Sequence, residues 1–158
     1  MNNSLPVVYQ LGCAGVDWFA LKQALLEDDF DNGRTPEQLR QSCEASAVNV
    51  FARLNGRVIG TVRVLSDGVC NAYMVDVWTL TAYRKRGVAR RMVELALEQL
   101  PGQHVYLFTD SAEEFYHKLG FTPQGVGLGL VVGDWLQGRP GTAGGGGLAA
   151  AVAIAASA

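Results

Sequence analysis

The chain has 158 residues, 49% hydrophobic and 18% charged, with a formal net charge of −2 at pH 7, which predicts one folded domain with a substantial core. The slight negative charge disfavours nucleic acid as a partner, and no apolar run reaches the roughly 18 residues that span a bilayer, so we expect no membrane partner. Cys13, Cys43 and Cys70 are odd in number and lack metal-ligand spacing, and no basic and then apolar segment opens the chain, which together predict a reduced, cytoplasmic protein without a metal.

A strand and a helix are predicted at the start of the chain. Residues 7–11 carry a strand pattern, and residues 16–26 repeat apolar side chains at helical spacing, with Leu21 and Leu25 on one side. Residues 27–31 are mostly acidic, and a loop signal follows them. We interpret this acidic run as a solvated connection.

The next segment predicts a second helix and three antiparallel strands. Thr35, Pro36 and Gln38 occupy the N-cap, first and third positions of a capping box, so a helix begins here and runs to about residue 45. Strand patterns follow over residues 48–54, 57–65 and 70–80. The dipeptide Asn55-Gly56 joins the first two of these strands in a hairpin.

The stretch after the third strand turns through a glycine and becomes an amphipathic helix from residue 88. Five cations crowd the turn: Arg84, Lys85, Arg86, Arg90 and Arg91. A helix N-terminus leaves backbone N–H groups unpaired and carries the positive end of the helix dipole, so cations placed there oppose the dipole. An arriving anion would neutralise them, and the turn therefore predicts a site for a phosphate-bearing ligand.

The remaining elements complete a mixed sheet. Residues 104–108 predict a buried strand, which the helical crossover makes parallel to its neighbour. Ser111 and Glu114 predict a capping box for a short helix, and residues 125–131 predict a last strand whose glycines fall on one face. The predicted fold class is α/β (α+β), with a mixed, mostly antiparallel central sheet flanked by helices.

The composition changes sharply near residue 138. From there to residue 158 the chain consists largely of Gly and Ala, with too few large apolar side chains to bury much surface. We expect residues 1–137 to form the domain and residues 138–158 to form a C-terminal tail that folding does not need.

Two motifs resemble the GNAT superfamily of acyl-CoA-dependent N-acyltransferases. Its fingerprint is Arg or Gln, two free positions, Gly, one free position, then Gly or Ala, placed between a strand and a helix; here these residues are Arg84, Gly87 and Ala89. Residues 112–121, AEEFYHKLGF, are similar to the family's helix that ends in Tyr and Leu-Gly-Phe. The resemblance covers about residues 48–121. It implies a GNAT-like fold and acetyl transfer from acetyl-CoA, as co-substrate, to a primary amine of a small molecule or peptide.

The resemblance also implies the residues of the site. Those that would bind the cofactor are Val77, Trp78, Thr79, Arg84, Lys85, Arg86, Gly87, Val88, Ala89, Arg90, Thr109 and Ala112. Amides of residues 86–89 would bind the pyrophosphate, and a bulged strand end at residues 77–79 would bind the pantetheine and polarise the thioester carbonyl. Tyr116 would be the catalytic acid that protonates the leaving sulfur. This chain departs from the family's common Gly at the place of Lys85 and its common Asn at the place of Thr109.

Asp76 lies inside the apolar strand segment YMVDVW, where an unpaired carboxylate is costly. A structural partner such as an Arg is one interpretation. The resemblance supports another, a catalytic role in which Asp76 recognises or deprotonates the ammonium group of the acceptor. It likewise offers the acidic run at residues 27–31 a second role, the attraction of a cationic amine to the acceptor pocket.

Two classes of function remain open. The first is an acetyl-CoA-dependent N-acetyltransferase in which the amine attacks directly. The second is a catalytically silent acyl-CoA-binding sensor or interaction module. The presence of both Tyr116 and Asp76 favours the enzyme. A homodimer stays open, and the sequence does not name the acceptor.

Overall fold

The structure is a computed structural model that describes residues 6–137, and the predicted tail over residues 138–158 lies outside them. The strands are β1 (Val8–Leu11), β2 (Val48–Leu54), β3 (Arg57–Ser66), β4 (Asn71–Thr79) and β5 (His104–Tyr106). The helices are α1 (Trp18–Glu27), α2 (Pro36–Glu44), α3 (Val88–Glu98) and α4 (Glu113–His117), with a short 3-10 turn at Thr81–Tyr83. Over residues 6–137, no helix has both the length and the apolar composition needed to cross a membrane.

The five strands form one sheet in the order β1-β2-β3-β4-β5. Neighbours are antiparallel from β1 to β4, while β5 runs parallel to β4, so the predicted mixed and mostly antiparallel sheet is confirmed. The pairing of β4 with β5 involves only residues 71–73 and 104–106, and β4 then continues to Thr79 with no β5 partner in the described part of the chain. The two strands therefore separate toward the carboxyl end of β4.

Helices cover both faces of the sheet. α3 buries a stripe that includes Val88, Met92 and Ala96 against one face, as its helical spacing predicts. On the other face α1 and α2 pack over Phe51 and Trp78. Full burial of a large apolar side chain stabilises the fold by about 1.5–3 kcal/mol. The completely buried Trp78 therefore anchors the end of β4, from which the glycine turn departs.

Local signals account for the elements of the first half. The Thr35 hydroxyl accepts the Gln38 N–H at 3.1 Å, and the Gln38 side-chain oxygen accepts the Thr35 N–H at 2.9 Å, so the predicted capping box is formed. Asn55 (φ 51°) and Gly56 (φ 80°) both adopt the left-handed conformation that a two-residue hairpin turn of this type requires. The predictions of α2 and of the β2–β3 hairpin are confirmed.

Of the two strands predicted after α3, the first is formed in part, parallel to β4, and the second is not formed. The predicted buried strand over residues 104–108 is a three-residue edge strand with alternate residues exposed. The predicted strand over residues 125–131 is not formed, and alternate apolar side chains in it are 87% to 91% exposed. A strand needs a neighbouring edge to pair with, and the short β5 ends before it could offer one.

The predicted capping box at Ser111 and Glu114 is also wrong. α4 begins at Glu113, so Ala112 is its N-cap residue and Ser111 lies one position too early. The Thr109 hydroxyl instead accepts the Ala112 N–H at 3.0 Å. Thr109 therefore holds the start of α4.

Candidate active site

The turn between β4 and α3, residues 84–89, leads into a helix whose N-terminus has no side-chain cap. Gly87 is the N-cap residue of α3, with φ 80° and ψ 0°, and no side chain caps the helix there. The Arg91 N–H bonds to the Gly87 carbonyl at 3.0 Å, so the N–H groups of residues 88–90 have no partner within the helix. A Cβ on Gly87 would meet no atom within 4 Å. The turn can therefore bind an anion through backbone groups alone.

A cleft of about 490 Å³ opens on this turn, and Phe115 and Lys118 form part of its facing wall. Most of the predicted cofactor residues border it: Thr79, Arg84, Lys85, Gly87, Val88, Ala89, Arg90 and Ala112. A second cleft of about 530 Å³ lies at the opposite end of the sheet, around Asn49 and Gln103. We assign the chemistry to the first cleft, because unpaired helix N–H groups and cations converge there.

Four predicted cofactor residues do not border the cleft. Val77 and Trp78 are 2% and 0% exposed, with side chains in the cores on opposite faces of the sheet, so only their backbone could contact a ligand. The Thr109 hydroxyl accepts the N–H of the α4 N-cap residue. The Arg86 guanidinium lies 5.9 Å from the centre of the Tyr83 ring.

Lys85 and Arg86 leave positive charge uncompensated at the turn. Arg90 pairs with Glu94 at 2.9 Å, whereas neither Lys85 nor Arg86 has a carboxylate partner within 4 Å among residues 6–137. Lys85 also has φ 59°, a left-handed conformation that costs a non-glycine residue on the order of 1 kcal/mol. This conformation accounts for the glycine that the resembled family commonly has at this position.

Asp28 ties the turn to α1 and to the end of β4. Its carboxylate accepts the Trp78 indole N–H at 2.9 Å and the Thr81 N–H at 3.1 Å, and it pairs with Arg84 at 3.2 Å. Burial raises the pKa of Asp28, but hydrogen bonds from Thr81 and Trp78 and the charge of Arg84 outweigh burial and hold the pKa below its ordinary value. The Asp28 side chain is only 8% exposed, so the interpretation of the acidic run as wholly solvated is wrong at this residue.

β4 carries a bulge close to its end. Two consecutive residues, Asp76 and Val77, face the single residue Val62 of β3. Asp76 has φ 52°, the left-handed conformation. The bulge begins one residue before the segment 77–79, for which the resemblance implies one. A bulge interrupts the ladder and leaves backbone groups available to a ligand.

Asp76 has two guanidinium partners. Its Oδ2 lies 2.9 Å from Arg34 Nη2 and 2.8 Å from Arg63 Nε, and the three side chains are 9% to 14% exposed. The Asp76 carbonyl also accepts the Thr61 hydroxyl at 2.8 Å. One carboxylate and two guanidiniums carry a net charge of +1, so the cluster as a whole repels an ammonium ion. The sequence left two roles open for Asp76, pairing with a structural partner and contact with the acceptor. The first is observed, because Arg34 and Arg63 are its partners.

Tyr116 is buried with an unpaired hydroxyl. The residue is 2% exposed, and its ring packs edge-on against Phe115 and Phe121. Its hydroxyl has no hydrogen-bond partner in the described part of the chain, a state that costs about 1–3 kcal/mol for a buried polar group. Burial raises the pKa of Tyr116 above its ordinary value of 10.0, so the phenol keeps its proton at neutral pH. The buried Thr79 hydroxyl is likewise unpaired, and Thr79 borders the cleft, whereas Tyr116 does not.

Comparison with known proteins places this geometry in a family. A family model described as the acetyltransferase (GNAT) family matches residues 17–121. The chain belongs to the GNAT acetyltransferase family. The match includes the turn, the bulge and α4, and hence every element that borders the cleft. A search of curated proteins finds no significant match.

Solved structures of acetyltransferases share the fold. A protein from Deinococcus radiodurans assigned as an acetyltransferase is 27% identical, with a TM-score of 0.69 over 77% of this chain and 86% of that chain. A GNAT family acetyltransferase from Streptococcus pneumoniae is 21% identical, with a TM-score of 0.67 over 81% and 99% of the two chains. An aminoglycoside acetyltransferase from an uncultured soil metagenomic sample is 17% identical, with a TM-score of 0.62 over 82% and 100%. The predicted GNAT-like fold is confirmed.

Sequence reasoning missed Asp28, Arg34 and Arg63 as parts of the site. Their partners lie far along the chain: Asp28 is 50 residues from Trp78, and Arg34 is 42 residues from Asp76. No helical or strand period connects such positions. The one available signal is Asp76 itself, because a carboxylate in an apolar strand requires a basic or N–H partner.

Proposed function

We propose that this GNAT protein moves an acetyl group from acetyl-CoA to a primary amine of a small molecule or peptide. The observation that carries the proposal is the uncapped N-terminus of α3, where open N–H groups, left-handed Gly87 and the charge of Lys85 meet at one cleft, and Arg86 adds a second charge to the same turn. These features suit the pyrophosphate of a nucleotide-bearing ligand. Acetyl-CoA supplies the acetyl group as an activated thioester.

The turn and the bulged strand have separate tasks in this proposal. Backbone N–H groups of residues 86–89 bind the pyrophosphate, and Lys85 and Arg86 offset its charge. The backbone of residues 77–79, at the point where β4 and β5 separate, binds the pantetheine and polarises the thioester carbonyl. The unpaired, buried hydroxyl of Thr79 supports this assignment, because a polar group on the ligand would give it a partner.

We assign Tyr116 the role of the acid. The phenol is protonated at neutral pH, as its ordinary pKa of 10.0 already requires, and it therefore holds a proton that it can donate; burial raises this pKa. As the amine nitrogen bonds to the carbonyl carbon and the carbon–sulfur bond breaks, Tyr116 Oη gives its proton to the departing sulfur. The acceptor ammonium loses one proton to solvent before the attack, and its nitrogen releases a second proton to solvent once the bond to carbon has formed. The phenolate then takes one proton back from solvent.

Asp76 has a positioning role in the same scheme. Its ion pairs with Arg34 and Arg63 hold the bulge in its left-handed conformation, and so they aim the backbone of residues 77–79. Direct contact of Asp76 with the acceptor ammonium stays a prediction. The net charge of +1 on Asp76, Arg34 and Arg63 supports the positioning role over direct contact with a cationic acceptor.

The alternative function, a catalytically silent acyl-CoA-binding module, has observations in its favour. Tyr116 does not border the cleft, and Asp76 is already neutralised by two guanidiniums. A protein with these features could bind the cofactor without transferring the acetyl group. The two functions share the binding site and differ only in turnover.

One experiment separates them. The full chain is incubated with acetyl-CoA and a panel of polyamines, amino acids, aminoglycosides and short peptides, and released CoA thiol is measured against an amine-free control. Release that depends on one class of amine supports the transferase and names its acceptor. Acetyl-CoA binding by calorimetry, without amine-dependent release across the panel, supports the silent module.

We also propose that residues 1–137 form the acetyltransferase domain and that the protein acts in the cytoplasm. Every helix and strand of the described structure, and the residues that line the cleft, lie within residues 8–118. Cys13, Cys43 and Cys70 are unpaired thiols, which supports a reducing compartment.

A further inference from the structure

Two aromatic side chains lie together on the sheet face opposite α3. The ring centres of Tyr73 and Phe108 are 5.9 Å apart, the rings meet edge to face, and the two residues are 39% and 48% exposed. Ala72 and Met74, on either side of Tyr73, belong to the core against α3, so Tyr73 points to the face that carries α1 and α2. β4 loses its pairing with β5 directly after Tyr73, and the aromatic pair therefore lies where the two strands begin to separate.

This face leaves the acceptor a path to the thioester. The cleft assigned to acetyl-CoA lies on the other side of the sheet, where the glycine turn, α3 and α4 line it. Residues 77–79, assigned to the thioester, belong to the stretch of β4 that has no β5 partner among residues 6–137. An acceptor can therefore meet the thioester carbon from the side of Tyr73 and Phe108 without displacing the cofactor.

Arg63 brings an open hydrogen-bond donor to the same face. The residues on either side of it in β3 belong to the core against α3, so its side chain points to the face of Tyr73. Its Nε bonds to Asp76 at 2.8 Å and its Nη1 to the Ser46 hydroxyl at 3.2 Å, whereas Nη2 has no acceptor among residues 6–137. Burial and the charge of Asp76 raise the pKa of Tyr73, and the charge of Arg63 opposes this rise, so both charges lie near the phenol. Arg63 Nη2 can therefore bind a carboxylate beside the aromatic pair.

The segment after α4 borders this surface. Gly127 lies against the Phe108 ring, and a Cβ on Gly127 would come within 1.9 Å of it. The Trp135 indole N–H donates to the Asn32 carbonyl at 3.0 Å, and the Asn32 side-chain oxygen accepts from Arg34 Nε at 2.9 Å. The segment thus runs from the aromatic pair to the connection between α1 and α2, and it bounds the surface between them on one side.

We propose that the acceptor is a free amino acid with an aromatic side chain, held by its carboxylate on Arg63 Nη2 and by its ring on Tyr73 and Phe108. This inference rests on the proposed acetyl transfer and narrows its acceptor. The net charge of +1 on Asp76, Arg34 and Arg63 repels a simple cationic amine, whereas a carboxylate on the acceptor offsets that charge. The amino nitrogen bonds to the thioester carbon as the carbon–sulfur bond breaks, with the proton transfers described above, and gives an N-acetyl amino acid and CoA thiol.

Initial rates of CoA thiol release by the full chain, with three acceptors, test the two contacts separately. L-Phenylalaninamide keeps the ring and the amine of L-phenylalanine but lacks the negative charge, and L-alanine lacks the ring. We expect kcat/KM for L-phenylalanine to exceed that for the amide by about 10-fold or more, because a charge-assisted hydrogen bond is lost. We expect a similar excess over L-alanine, because aromatic packing is lost.

Three variants assign the contacts to residues. Arg63→Gln removes the net positive charge of the cluster and should abolish the preference for L-phenylalanine over the amide. Phe108→Ala should lower the preference over L-alanine and keep the preference over the amide. Phe19→Ala, at a phenylalanine of α1 that is 69% exposed, is the matched control and should change neither preference. Each preference compares two acceptors on the same protein, so a partly unfolded variant still gives a valid ratio.

Several outcomes would overturn the inference. These are equal kcat/KM for L-phenylalanine and the amide, equal kcat/KM for L-phenylalanine and L-alanine, and a preference over the amide that survives Arg63→Gln. Transfer to other amines but not to L-phenylalanine would also overturn it and would leave the proposed function intact.

A separate measurement applies if no amine releases CoA, since the proposed function then fails. Calorimetric titration of L-phenylalanine into the CoA-saturated protein would decide the inference from binding alone. Binding that Arg63→Gln weakens about 10-fold or more would support it. No binding, or binding that Arg63→Gln leaves unchanged, would overturn it.

Discussion

Asp76 Oδ2 lies 2.9 Å from Arg34 Nη2, and this buried contact joins the bulge of β4 to the connection between α1 and α2. Arg34 also donates to the Asn32 side-chain oxygen at 2.9 Å and to the Ser42 hydroxyl at 2.8 Å. The guanidinium therefore holds the loop as well as the strand. The shape of the bulge, and with it the backbone assigned to the thioester, is coupled to a loop 42 residues earlier in the chain.

The first prediction concerns this contact. Asp76→Asn keeps the size of the side chain and tolerates the left-handed backbone, but it leaves two buried guanidiniums without their shared carboxylate. We expect the free energy of unfolding to fall by about 3 kcal/mol in urea titrations. Glu37→Gln is the control, because its pair with Arg40 is 40% to 56% exposed and screened by solvent, so its loss should change the free energy of unfolding far less. Similar small losses in the two variants would contradict a structural role for Asp76.

The second prediction concerns Tyr116. Tyr116→Phe removes the acid and keeps the ring, so turnover on an amine identified by the panel should fall ~10²-fold or more while acetyl-CoA affinity holds. The free energy of unfolding should stay level or rise by about 1 kcal/mol, because the variant lacks a buried hydroxyl that has no partner. Tyr106→Phe, at an exposed position of β5, is the control. Turnover of Tyr116→Phe within twofold of wild type would show that Tyr116 only packs.

The third prediction is a dependence of stability on alkaline pH. Burial raises the pKa of Tyr116 in the folded state, so above about pH 10 the unfolded chain releases this proton while the folded chain keeps it. The stability linked to the neutral phenol is therefore complete below about pH 10 and is lost as the pH rises beyond it. Wild type should lose free energy of unfolding more steeply than Tyr116→Phe in this range. Equal slopes in urea titrations at several pH values would show that Tyr116 does not titrate in this way.

The fourth prediction concerns the limits of the domain. Truncation after Gln137 should change the melting temperature by less than about 2 °C and leave acetyl-CoA affinity unchanged, because the removed residues are mostly Gly and Ala. Truncation after residue 132 also deletes the Trp135 bond to Asn32 and should lower the melting temperature. A large drop with the first truncation would show that the tail packs on the domain.

Elements with short-range signals could be predicted from the sequence. The Thr35 capping box, the Asn55-Gly56 hairpin and the stripe of α3 each depend on residues within one or two turns, and each is formed. Gly87 is a further example. A glycine between a predicted strand and an amphipathic helix indicates a left-handed residue at the start of the helix, and Gly87 has this conformation.

Elements that depend on distant partners could not be predicted. Asp28 belongs to an acidic run that is typical of a solvated loop, and only the folded chain brings it against Trp78 and Arg84. The alternation of residues 125–131 is a sound strand pattern, but a strand forms only where another edge is available. The hydrogen bond from the Ala112 N–H to the Thr109 hydroxyl, at the start of α4, was not predicted, because Ser111 and Glu114 match the capping-box pattern better.

Isothermal titration calorimetry of two glycine variants tests whether acetyl-CoA binds at Gly87. Gly87 (φ 80°) and Gly68 (φ 74°) are both left-handed with open space for a Cβ, so substitution by Glu imposes a similar backbone strain at either site. Only Gly87→Glu places a carboxylate before the N–H groups of α3. We expect wild-type affinity for Gly68→Glu and a loss of about 100-fold or more for Gly87→Glu. Acetyl-CoA affinity that is unchanged in a folded Gly87→Glu variant would contradict binding at this site.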